Sequence, residues 1–268
     1  MLWLLVRREL LEHAMSFRFG AVFVLAALLA TTGALVFAGQ YQTAQREYRE
    51  RVEGVCGEDG TTDLQGIACS GGLHVVRRPS PLAFCSGAGE GELPNWAQLA
   101  VHRLGSIGRA GQPEALLDDP VRVDWAFVVG VLLSFAAGLL TYRSVAGEQQ
   151  EGTLLLVLSN PVSRASVLLG KYLAALLTLG VSLAAAMVLG LLVLRLTVTL
   201  PLGAAEWARI AFFAAAALAY LSCFALIGLL CSVVSRNATL AAVGFLFAWT
   251  VAVFALFMRQ DVTPGGAR

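Results

Sequence analysis

Charge is scarce in this 268-residue chain, and it is missing where an ion pathway would need it. Five long apolar runs carry no Asp, Glu, His, Lys or Arg: Phe19 to Ala38, Trp125 to Tyr142, Tyr172 to Leu194, Ile210 to Cys231, and Leu240 to Met258. Proton- and ion-coupled carriers place such groups inside the membrane, so their absence argues against a secondary transporter or pump. The formal net charge is +1, and no basic surface invites nucleic acid. No internal repeat is visible, which argues against an inverted-repeat carrier. A phosphate-binding Gly-x-x-x-x-Gly-Lys-Ser/Thr loop is also missing: Gly170-Lys171 is followed by Tyr172. The chain is therefore not expected to be an ATPase or to hold a cofactor of its own. Ser134, Ser182 and Ser222 have no His or Asp beside them in sequence, so an intramembrane hydrolase has little to stand on.

What remains is apolar length. A helix needs about 20 apolar residues to cross the hydrocarbon core, and each run is near that length. Inside lipid every backbone group must bond within its own segment, and the runs lack the alternation of barrel strands. The expected fold class is all-α: a polytopic transmembrane helical bundle with an N-terminal interfacial helix and one long external loop. Segment 1–18 is expected to be the amphipathic helix, 19–38 the first span and 39–123 the external region. Four further spans follow over 124–258 with a cytoplasmic segment at 143–171, and 259–268 is a polar tail. Short-loop arginines set the orientation. Arg7, Arg8 and Arg18 precede the first span, Arg143, Arg164 and Lys171 separate the second from the third, and Arg236 precedes the fifth. They favour a cytoplasmic N-terminus.

In the first 18 residues Trp3, Val6, Leu10, Ala14 and Phe17 recur at helical spacing, with Arg7, Arg8 and Glu9 among the polar positions. A Trp on the apolar face and Arg on the polar face suit a helix lying in the plane of membrane lipid; a cytosolic extension of the first span is the alternative. Of the loop, 40–53 is expected to continue the first helix, 54–92 to be mostly irregular, and Pro94 to Leu104 to form a short helix. Cys56, Cys69 and Cys85 lie in this loop. In an oxidising compartment two can pair and leave one over, with the pairing open. His74 and His102 are nearby, yet no spacing matches a metal-ligand motif, so no metal site is assigned.

The stretch between the second and third spans is richest in chemistry. Glu148 and Glu151 stand three apart, on one face of a helix. Gly152 allows a change of direction before Thr153. The run from Leu154 to Leu158 is too short to span, and Asn160-Pro161 reads as the start of the next helix. Arg164 and Lys171 follow, placed to reach phosphates or partner acids. A solvated hairpin with charges placed only for topology explains the cations but not the acids.

The pattern Glu148-x-x-x-Gly152-Thr153-Leu154, Ser159-Asn160-Pro161-Val162-Ser163-Arg164, Gly170-Lys171-Tyr172-Leu173 resembles the permease subunits of type-2 ATP-binding-cassette transporters. It is most similar to the branch that includes the permease for maturation of the nitrous-oxide reductase copper site. Arg8-Glu9-Leu10 is similar to that family's entrance helix. The resemblance implies a multi-pass subunit in the cytoplasmic membrane of a bacterium or archaeon. It also implies a partner ATPase that binds the ATP, and a second permease copy or homologue. Glu148, Glu151, Gly152, Thr153, Arg164 and Lys171 would form the element docking on that ATPase, with the two acids exposed. The family has six spans against five here, so the resemblance implies a C-terminally shortened member. The rival reading is a membrane-anchored binding or sensor protein acting through its external loop.

Overall fold

The computed structural model describes residues 2–55, 73–86, 96–100, 103–108, 124–152, 163–199 and 202–261. Helix α1 (Leu2–Ala14) ends at Met15, Ser16 stands before the next helix, and α2 (Phe17–Val55) follows. The second span is composite: α3 (Trp125–Phe127), a π-helix (Val128–Leu133) and α4 (Ser134–Thr141). After a turn come α5 (Ala146–Gln150), α6 (Arg164–Thr197), α7 (Ala204–Val234) and α8 (Ala238–Asp261). Five helical stretches are long and apolar enough to cross a membrane: Phe19–Glu50, Trp125–Gln150, Arg164–Thr197, Ala204–Val234 and Ala238–Ala255. The polytopic helical bundle is thus the observed fold.

The segment between the first two spans departs from expectation. Pro94 to Leu104 was to be a short helix; instead Trp96–Ala100 is strand β2, flanked by β1 (Leu73–Val76) and β3 (Arg103–Gly108) in an antiparallel sheet of order β1-β2-β3. Leu73 pairs with Leu99 and Val76 with Trp96. Strand pairing with residues some twenty positions away overrides the helix-forming composition of Trp-Ala-Gln-Leu-Ala, because β-structure is set by cross-strand partners more than by local preference.

Contacts divide the chain into two compact units. The first comprises Met1–Ala30, Ala126–Leu189 and Ala208–Arg268. Its core is built from small residues that let helices approach closely, as membrane bundles require. Ala136, Ala137, Ala146, Ala174, Ala225 and Ala241 are fully buried among Leu133, Leu179, Leu221 and Phe245. A methyl on Gly138 would overlap the ring of Phe245, and one on Gly228 would overlap the Thr141 hydroxyl. Those glycines interlock α4 with α8 and with α7.

The second unit comprises Thr31–Trp125 and Gly190–Trp207. Phe84 anchors it. Its ring packs edge-on to Trp125 at 4.9 Å and to Phe37 at 5.6 Å, and Phe37 lies 5.7 Å from Tyr41. The Trp125 N–H donates to the Phe84 carbonyl at 3.1 Å. On α2, Gln42 Nε2 donates to the Thr197 carbonyl at the end of α6.

Candidate functional site

The five-residue helix α5 is too short to be stable alone, so its position must come from outside it. Three anchors hold it. At its start Ser232 Oγ, fully buried on α7, accepts the backbone N–H of Val145 at 2.9 Å and of Ala146 at 3.0 Å. These are two of the orphan donors that every helix N-terminus leaves. At its end Gln150 Oε1 accepts the Ala238 N–H, the start of α8, at 3.4 Å. In between, Glu148 Oε1 accepts from Lys171 Nζ at 2.8 Å.

Lys171 also donates to Glu9 Oε1 on α1, at 2.7 Å. It is the chain's sole lysine. Its side chain is 5% exposed, against 15% for Glu9 and 23% for Glu148. One ammonium thus joins three elements: α1, α5 and the first turns of α6. Burying a charge is costly unless it is paired and hydrogen-bonded, so both carboxylates turn inward to the Lys171 ammonium. The group carries one positive and two negative charges.

This arrangement corrects two expectations. Glu148 is half-buried rather than exposed, and Lys171 turns inward to Glu148 and Glu9 rather than outward to phosphates or partner acids. Glu151 is exposed, and pairs with Arg143 Nη2 at 2.7 Å beside it. Gly152 adopts φ +73°, the left-handed conformation that glycine takes without strain, and so turns the chain out of α5. Arg164 is exposed at the first position of α6. Thr153 lies outside the described residues. On α1, Trp3, Arg7 and Arg8 are exposed and Val6 is buried; Arg8 pairs with Glu12. Leu11, Met15 and Phe17 are exposed large apolar residues on the same stretch, an apolar surface of the kind lipid covers.

Sequence reasoning missed Ser232 and Gln150. Nothing marks a serine near a span end as a cap, because its clients lie 86 and 87 residues away. It also missed a polar cluster on the second span, where Ser134 and Tyr220 donate to the Gly130 carbonyl and Trp249 donates to Ser134 Oγ.

Of the loop cysteines, Cys56 and Cys69 lie outside the described residues. Cys85 is a buried free thiol. Burial, with a smaller contribution from the charge of Asp124, pushes it up to about 12, so it is protonated and inert at neutral pH.

Among the described residues, no three His, Cys, Asp or Glu side chains gather as metal ligands would. The site is a short helix fixed on three sides, with a charged, exposed outer face formed by Arg143 and Glu151. A family model described as "ABC-2 family transporter protein" matches residues 3–262. No curated protein matches the chain.

Proposed function

This chain belongs to the ABC-2 transporter family, as a membrane-spanning permease subunit, and we propose that α5 couples it to an ATPase carried on a separate chain. The supporting observation is the Lys171 junction. A force applied to α5 is carried at once to α6 through Lys171 and to α1 through Glu9. The buried group gives fixed geometry, as charge pairs with few alternatives do. The exposed Arg143–Glu151 face is then the surface that meets the ATPase. Arg164 lies at the start of α6, on the cytoplasmic side in the orientation favoured by the short-loop arginines.

In this reading α1 rests in the cytoplasmic leaflet, with Trp3, Leu11 and Met15 toward lipid. The membrane is the cytoplasmic membrane of a bacterium or archaeon, and a second permease copy completes the working transporter with two ATPases. The motif from Glu148 to Lys171 supports a place near the nitrous-oxide reductase maturation branch.

Co-purification tests the proposal. An ATPase subunit should come down with the wild-type chain from native membranes. Glu151→Lys should weaken that association at least tenfold while leaving thermal stability unchanged, because an exposed pair contributes little to folding. Undiminished ATPase capture by the variant would remove Glu151 from the docking face.

A further inference from the structure

The second span contains a π-helix, Val128–Leu133. Such a turn is rare and recurs at functional positions. Within lipid its backbone groups have no water to fall back on. Here side chains supply the bonds. Ser134 Oγ donates to the Gly130 carbonyl at 2.5 Å, and Tyr220 on α7 donates to the same carbonyl at 3.2 Å. Trp249 on α8 donates its ring N–H to Ser134 Oγ at 3.0 Å, and its ring packs edge-on to Phe135 at 5.3 Å. The Ser134 N–H reaches back five residues to the Val129 carbonyl, the π register itself.

The two halves of the span are held differently. Below the π segment, Gly138 lies under the Phe245 ring and Thr141 against Gly228, with no room for a methyl at either glycine. That half cannot rotate without unpacking. The π segment itself is held mainly by hydroxyl and indole hydrogen bonds, each worth only about 1 kcal/mol net. Relaxing it to α-helix would lengthen the span by about 1.5 Å and turn its two halves by about 100° relative to each other. An inward pull on α5, which continues this span, favours the longer form.

We propose that the π-helix of the second span is a two-state register switch, held in its short form by Ser134, Tyr220 and Trp249 and drawn into a longer α-form by a pull on α5. The source of the pull rests on the permease reading above; the switch itself does not. Ser134, Tyr220 and Trp249 are positioning residues in this scheme.

The test uses the full chain in lipid nanodiscs, alone and with the ATPase that co-purifies. Deleting Val131 removes the extra residue of the π segment, so the turn becomes α-helical while the flanking parts of the span keep the length and register of the short form, and the switch is locked there. This variant should insert, bind the ATPase as wild type does, and lose at least tenfold of the permease-dependent stimulation of ATP hydrolysis. Stimulation within twofold of wild type would overturn the switch. Should the deletion fail to fold, the double variant Ser134→Ala/Tyr220→Phe decides by hydrogen exchange. Amides from Val128 to Phe135 should exchange at least tenfold faster than in wild type, with those of α6 unchanged. Equal exchange in that segment would overturn the switch as surely. If no ATPase co-purifies, the coupling reading fails, while hydrogen exchange on the chain alone still judges the switch.

Discussion

Replacing Lys171 by Met should be the most damaging single change at the joint between α1, α5 and α6. Lys171 Nζ lies 2.7 Å from Glu9 Oε1 and 2.8 Å from Glu148 Oε1, so those two oxygens are at most about 5.5 Å apart by addition. With the ammonium gone, two carboxylates face each other in a partly buried site. At an effective dielectric of about 20 their repulsion at that separation is roughly 3 kcal/mol. Both also lose a charge-assisted bond, and removing one partner from a buried charge group typically costs about 3–5 kcal/mol. In a chain of this size that corresponds to a fall in Tm on the order of 10 °C. Thermal unfolding of detergent-solubilised protein, followed by tryptophan fluorescence, measures it. Glu9→Gln should cost much less, since it leaves one cation facing one anion. The triple variant Lys171→Met/Glu9→Gln/Glu148→Gln should recover most of the loss, because a buried charge group removed whole is often nearly neutral. If Lys171→Met melts within 2 °C of wild type, or if the triple variant melts no higher than Lys171→Met alone, the three-way joint is not what holds α5.

Two further outcomes follow from side chains already placed. Ser232→Ala removes the acceptor of the Val145 and Ala146 N–H groups and should cost about 1–2 kcal/mol, with faster hydrogen exchange confined to the Val145 to Gln150 amides; unchanged exchange there would show that Ser232 does not position α5. Cys85 should resist a membrane-impermeant maleimide at pH 8, four units below its raised value of about 12, and react once the protein is unfolded in detergent. In the unfolded, unreduced chain three thiols should titrate if Cys56 and Cys69 form the external bridge, and five would mean that no bridge exists.

The spans were legible because lipid imposes one rule on every residue of a run, so local composition suffices. The joint was only half legible. Glu148, Lys171 and Glu9 were each singled out, but as separate features: two as outward-facing docking groups and one as part of an interfacial helix. What unites them is contact across 23 and 162 residues of sequence, and spacing cannot show that. A clue was nonetheless present, since a chain with a single lysine places it where the third span begins. The π segment left no mark at all. Val-Val-Gly-Val-Leu-Leu reads as ordinary span, and only Tyr220 and Trp249, brought in by folding, reveal its irregular turn. Trp96–Ala100 failed for the opposite reason: its local preference was readable and misleading, because β1 and β3 decide its conformation.

The length of helix α2 has a geometric consequence. Its 39 residues make a rod about 58 Å long, nearly twice the roughly 30 Å of hydrocarbon it crosses. Some 25–30 Å must therefore stand clear of the hydrocarbon, with Arg46, Glu47, Arg49 and Glu50 on the far part. Beyond the hydrocarbon the chain leaves as unbroken helix, its backbone groups bonded along its own axis, so the charged residues begin without an intervening loop.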